Sequence, residues 1–143
     1  MGAGPSLEEN IEWIKENQNK FIIVAMGASY GKLIRHGVTV DIITTLDSKL
    51  QDLSNGQFKL EDTQHIQNVN ILASMNTAKG VLDRFNQEKL FLYEIIKNFK
   101  ENAIVGNGMS IGEFTFRMLL ELGVENLYLI GTDLALNQNT GAT

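Results

Sequence analysis

The sequence contains no cysteine, which rules out disulfide staples and thiolate metal sites and fits a reducing, cytoplasmic setting. No apolar run approaches the ~20 residues a membrane span needs. The first residues lack the basic-then-apolar order of a secretory signal. Positive charge is also short. Twelve Lys and Arg stand against 17 Asp and Glu, for a formal net charge of −5. The basic side chains that exist, such as Lys15, Lys20, Lys32 and Arg35, are scattered rather than clustered. A nucleic-acid partner, which needs grouped cations to neutralise phosphates, is therefore not expected, and neither is a membrane partner. Proline occurs once, at Pro5, where a first helical turn has no use for the missing N–H.

What is present is an alternation of short apolar runs with amphipathic stretches, the pattern of βαβ units. With 143 residues, 43% hydrophobic, the chain is long enough for one domain with its own core. Gly2-Ala3-Gly4-Pro5-Ser6 forms a glycine turn opening into Leu7, Ile11 and Ile14, which recur at helical spacing. Phe21 to Met26 reads as a buried strand, and Gly27-Ala28-Ser29 starts a turn before a short helix from Tyr30 to His36, closed by Gly37. Further strands are expected at Val40–Leu46, Val69–Ala73, Leu90–Tyr93 and Leu127–Ile130. Helices are expected from about Thr77 to Phe85 and from Ser110 to Leu122. Gln51 to Asn68 is polar and weakly periodic and reads as an exposed insertion without a site. Trp13, Phe85 and Phe116 read as core. The expected fold class is α/β: a Rossmann-like open, mostly parallel sheet with helices on both faces, three layers in all. Residues 1–143 are expected to form a single domain, a piece of a longer protein.

Several expected strands end in small or polar residues: Gly27-Ala28-Ser29, Asp47-Ser48, Ser74-Met75-Asn76 and Gly131-Thr132-Asp133. In a parallel sheet these ends share one edge, where open α/β folds bind ligands. Glycine admits close backbone approach and a helix start presents free N–H groups to anions, so Gly2, Gly4 and Ser6, and likewise Gly108, Ser110 and Gly112, suit a phosphate. The third glycine of a dinucleotide fingerprint is replaced by Leu7, and no acid ends the second strand, which argues against NAD or FAD. No Gly-Lys-Ser or Gly-Lys-Thr occurs, so a P-loop is excluded. Asp47 and Asp133 are the candidate catalytic or sugar-orienting carboxylates, Asp47 suiting a helix cap somewhat better and Asp133, with no helix expected after it, suiting function. His36 and His65 read as surface residues. No histidine–carboxylate spacing specifies a metal, and no base is assigned.

The runs Gly2-Ala3-Gly4-Pro5-Ser6-Leu7, Val24-Ala25-Met26-Gly27-Ala28-Ser29 and Leu127-Tyr128-Leu129-Ile130-Gly131-Thr132-Asp133-Leu134-Ala135-Leu136 together resemble the central domain of the motility accessory factor (Maf) family. The likeness extends to Ile71-Leu72-Ala73-Ser74 and to the segment from Gly106 to Gly123. It implies a cytoplasmic flagellum-related glycosyltransferase that moves a nonulosonic acid, of pseudaminic or legionaminic type, onto Ser or Thr of flagellin. The same pieces are similar to bacterial sialyltransferases, which implies a CMP-sugar donor. By that likeness Gly2, Gly4, Pro5 and Ser6 approach phosphate or ribose. Gly27, Ala28 and Ser74 line the edge, Ser110 and Gly112 lie near the donor, and Gly131, Thr132 and Asp133 meet the nucleotide. No counterpart of the sialyltransferase catalytic histidine is present. The Gly-Pro-Ser-Leu turn also resembles the archaeal 6-hydroxymethylpterin pyrophosphokinase type, which implies ATP and magnesium-binding acids. Thr44-Thr45-Leu46-Asp47 offers one acid where that type has a pair. A non-enzymatic flagellin-binding module is the third alternative.

Overall fold

The computed structural model describes residues 1–46, 58, 63–93 and 110–133. Four parallel strands form one sheet in the order β1 (Val24–Met26), β2 (Ile42–Thr45), β3 (Asn70–Ser74), β4 (Leu90–Tyr93). Before β1 come α1 (Pro5–Glu9) and α2 (Ile11–Asn17). Then α3 (Gly27–Arg35) joins β1 to β2, α4 (Thr63–Ile66) precedes β3, α5 (Lys79–Leu82) joins β3 to β4, and α6 (Ile111–Glu121) follows. Among the described residues no helix is long and apolar enough to cross a membrane.

Register decides what each face buries. Ala25, Ile43, Ile71 and Leu90 stand in one row across the sheet, with Ala73 on the same side two residues along β3. This face carries the core: Leu7, Ile11 and Ile14 from α1 and α2, Leu33 from α3, Ile66 from α4 and Val81 from α5 pack on it. The alternate row, Met26, Thr44 and Leu72, with Tyr93 beyond, faces α6. There Thr44 and Thr115 share a buried hydrogen bond of 2.8 Å, and Phe114 stacks on Tyr93 with ring centroids 3.9 Å apart. Helices thus cover both faces, α1 to α5 on one and α6 on the other, which makes the three layers expected from the alternating sequence.

Several boundaries differ from the sequence reading. The first strand begins at Val24, because Asp41 intervenes: its carboxylate accepts the Ile23 N–H at 2.7 Å, and Ile22 is left 75% exposed. Gly27, Ala28 and Ser29 belong to α3 rather than to a turn before it. The first helix breaks at Asn10, whose amide side chain donates to the Ser6 carbonyl. Leu127–Ile130 is not a strand. Among the described residues it meets the segment at Met1 through the Gly2 N–H bond to the Ile130 carbonyl and forms no ladder there, and Tyr128 and Leu129 stay exposed. Trp13 and Phe116, expected in the core, are about half exposed, whereas Phe58 and Ile66, from the segment read as an exposed insertion, are fully buried. Phe85 is buried as expected and meets Phe58 edge to face.

Candidate functional site

The site is built at the carboxyl edge of the sheet, beside β1. Met1 lies alongside that strand as a parallel neighbour: its nitrogen donates to the Val24 carbonyl, and Met26 N–H donates to the Met1 carbonyl at 3.0 Å. On the other side of this segment, Gly2 N–H donates to the Ile130 carbonyl and Gly4 N–H to the Gly131 carbonyl, at 2.8 and 2.9 Å. From Met1 the strands β1 to β4 step steadily away in one direction. Residues 127–131 return on the opposite side. Residues 1–4 therefore lie between β1 and residues 127–131, so the chain order of neighbouring segments reverses there, and a reversal of this kind at a sheet edge is where open α/β folds bind ligands.

Glycine is required here by space. A Cβ on Gly2 would overlap the Gly131 carbonyl, and one on Gly131 would overlap the Gly2 carbonyl. Gly131 also sits at φ +72°, a region that side chains other than glycine's disfavour. The two turns touch backbone to backbone. Their polar groups are then spent on each other: Ser6 N–H donates to Asp133 Oδ2 at 2.8 Å, and Gly131 N–H donates to Ser6 Oγ at 2.9 Å. Helix α1 has no cap from its own first residues, and the Asp133 carboxylate supplies one from 127 residues away. The hydroxyl and then the N–H of Ser6 hold that carboxyl below its ordinary value of 3.8. Gly2, Gly4, Pro5, Ser6, Gly131, Thr132 and Asp133 do converge. They converge as a clasp, and the N–H groups read from sequence as phosphate donors hold the chain itself together. Asp133 is nonetheless solvent exposed and can meet a ligand from the clasp.

The start of α3 faces the same edge. Its N-cap position, Met26, gives no side-chain cap, its first turn carries no acid, and Ala28 is exposed there while Gly27 is buried. This leaves first-turn N–H groups and the positive end of a nine-residue helix next to the clasp. Ser29 Oγ lies 2.9 and 2.8 Å from the Met1 and Met26 carbonyls, between which its one proton is shared, and Lys32 Nζ donates to the Ala3 carbonyl at 3.0 Å. Ser29 and Lys32, three residues apart on one helical face, thereby bind the glycine turn to α3. Sequence reading set Lys32 among scattered surface cations. Its spacing from Ser29, directly after a glycine turn, was the available signal.

The other expected residues are placed differently. Ser110 is the N-cap of α6, its Oγ accepting Glu113 N–H at 3.2 Å, and Gly112 lies against the Met26 side chain, so both reach the edge from the α6 face. A Cβ at Gly112 would meet nothing nearer than 3.8 Å, so glycine is not demanded there by space. Ser74 ends β3, three strand spacings (roughly 14 Å at ~4.8 Å each) across the sheet from Met1 and three residues further along. It is fully buried and its hydroxyl accepts Asn76 N–H at 3.1 Å. The structure does not bring it to the clasp. Asp47, and the loop through Gly106 and Gly108, lie outside the described residues. Burial pushes the Tyr93 phenol well up, and its hydroxyl donates to the Thr45 carbonyl at 3.1 Å. No three His, Asp or Glu side chains gather as a metal site among the described residues.

The comparisons agree with this architecture. The fold is similar to that of the Maf glycosyltransferase from Magnetospirillum magneticum AMB-1, with a TM-score of 0.70 and 23% identity, over 95% of this chain and 22% of that one. Among curated proteins, the 4-diphosphocytidyl-2-C-methyl-D-erythritol kinase of Ureaplasma urealyticum serovar 10 (strain ATCC 33699 / Western) is 32% identical over 113 residues. That alignment covers 76% of this chain and 40% of the relative, so the chain spans well under half of either protein's length. Residues 1–139 match the family described as 6-hydroxymethylpterin diphosphokinase MptE-like. By that match, which takes in the clasp and every strand of the sheet, the chain belongs to the MptE-like 6-hydroxymethylpterin diphosphokinase family.

Proposed function

We propose that this domain binds the nucleotide of a CMP-activated sugar in the crevice between the clasp and the start of α3. In the whole protein it would serve a motility-accessory-factor type of glycosyltransferase, with a nonulosonic acid as the group moved and flagellin Ser or Thr as the acceptor. The observation that carries the reading is that residues 127–131 lie on the far side of residues 1–4 from β1, a reversal of chain order at the sheet edge, with an uncapped helix start beside it. Two comparisons support it: the Maf likeness names a glycosyltransferase, and the Ureaplasma relative is named for a substrate carrying a diphosphocytidyl group.

The chemistry follows from the groups present. The first-turn N–H groups of α3 would face the phosphate and stabilise the charge that grows on it as the sugar–phosphate bond breaks. Asp133 and Thr132 would hold ribose or sugar hydroxyls. The clasp would fix both to the same edge as α3, which converts binding into orientation. The acceptor hydroxyl needs a base, and none of the described residues is assigned that part.

The second reading comes from the family description itself: transfer of a diphosphate from ATP to a pterin alcohol. The match over residues 1–139 favours it. Calorimetric titration with CMP, CTP, UDP and ATP, each with and without magnesium, separates the two. The expected result is a preference for the cytidine nucleotides. Magnesium-dependent binding of ATP without CMP binding would move the assignment to diphosphate transfer, and no binding of any nucleotide would end both.

A further inference from the structure

We infer that Lys32 is the cation that receives the ligand's phosphate at this site, and that Glu8 holds its place until the phosphate arrives; the inference rests on the nucleotide reading above. Lys32 stands on the second turn of α3. Helical side chains lean toward the helix N-terminus, so its stem runs back to the carboxyl edge of the sheet. Its Nζ there donates to the Ala3 carbonyl at 3.0 Å and pairs with Glu8 Oε1 at 3.1 Å. The charge is thereby set between the glycine turn and the uncapped start of α3, the place where a phosphate would lie.

The two members of the ion pair are unequal. The Lys32 side chain is 24% exposed, against 54% for Glu8. The lysine is fixed between elements, while the glutamate reaches in from water off a short helix. An ion pair this open to solvent is weak. A phosphate oxygen brings a charge at least as large and a stronger hydrogen bond to an ammonium. Exchange of Glu8 for phosphate leaves the bond to Ala3 intact, so the ammonium is already in position and does not move. The site thus prefers a phosphorylated ligand to a nucleoside, and Glu8 competes with that ligand.

The test is calorimetric titration of the chain with CMP and with cytidine, in the wild type, Lys32→Gln and Glu8→Gln. Lys32→Gln is expected to weaken CMP about ten- to a hundredfold, the worth of one charge-assisted bond, and to leave cytidine unchanged. Glu8→Gln is expected to tighten CMP about two- to fivefold, the opposite sign, by removing the competing anion. Equal CMP binding in the wild type and Lys32→Gln overturns the inference and leaves the nucleotide reading standing. So does a loss in Lys32→Gln that is the same for CMP and cytidine, which marks a structural residue. If Lys32→Gln fails to fold by circular dichroism, Glu8→Gln decides alone: tighter CMP binding supports the exchange, and unchanged or weaker binding overturns it. A wild type that binds neither ligand overturns the nucleotide reading and this inference with it.

Discussion

Asp133 shows how one residue type can be read correctly for place and differently for work. Its position after an apolar run marked it as a candidate functional carboxylate, and it stands exposed at the clasp. Its immediate partner is Ser6, which gives it a structural duty as the cap of α1. A pH dependence follows. The folded state holds this carboxyl below its ordinary value of 3.8, so the unfolded chain takes up its proton first as pH falls. The stability it contributes is whole above the ordinary value and drains away as pH drops through the folded-state value. Asp133→Asn removes that contribution at every pH. Melting curves of both proteins from pH 7 to pH 2 should therefore differ at neutral pH, with the variant lower, and converge in acid. A gap that stays constant across the range would mean the charge of Asp133 has no part in the clasp.

Among elements, α6 is held to the sheet by a polar contact that sequence periodicity could not foresee. From the sequence, a helix is expected over Ser110 to Leu122 with Phe116 in the core; the stripe that is buried runs instead through Phe114 and Met118. Periodicity says nothing of Thr115, which looks polar and belongs to the same face. Thr115 Oγ1 donates to the Ile111 carbonyl at 2.7 Å, which uses its one proton, so in the pair with Thr44 it is Thr44 that donates. The two substitutions should consequently be unequal. Thr44→Val leaves the Thr115 hydroxyl still bonded to Ile111, whereas Thr115→Val strands a fully buried Thr44 hydroxyl. Urea denaturation should find Thr115→Val less stable by about 1–3 kcal/mol, with Thr44→Val milder and the double variant recovering much of the loss. The strands were legible for the same reason that Thr115 was not. Ile42–Thr45, Asn70–Ser74 and Leu90–Tyr93 lie within a residue or two of their apolar runs, because burial on a parallel sheet selects such runs. Leu127–Ile130 has the same composition but, among the described residues, makes no strand ladder beyond the Gly2 N–H bond to the Ile130 carbonyl, and pairing is a fact about neighbours that a local window does not contain.

At the scale of the whole molecule, the site belongs to the topology more than to any motif. The glycine turns announced a close approach, and the sequence could not say to what. Gly2 and Gly131 approach each other, across almost the full length of the chain, and that contact sets residues 127–131 beside residues 1–4 at the sheet edge. Lys32 was hidden by its surroundings in sequence, since a lone lysine on a helix is usually a solvated one, and only the fold puts it over Ala3. A ligand seated at the reversal would touch three segments that are remote in sequence: residues 1–6, 27–32 and 131–133. It would leave the far edge, residues 79–93, alone. Hydrogen–deuterium exchange with and without CMP reads this directly. At a hundredfold excess over the dissociation constant, binding adds about 2.7 kcal/mol to whatever opening exposes the site. Exchange should therefore slow together at the Ser6, Ala28 and Gly131 amides, with little change at Val81 and Leu82. Slowing spread evenly over both edges would indicate general stabilisation of the fold, and slowing confined to β4 would place the ligand away from the reversal.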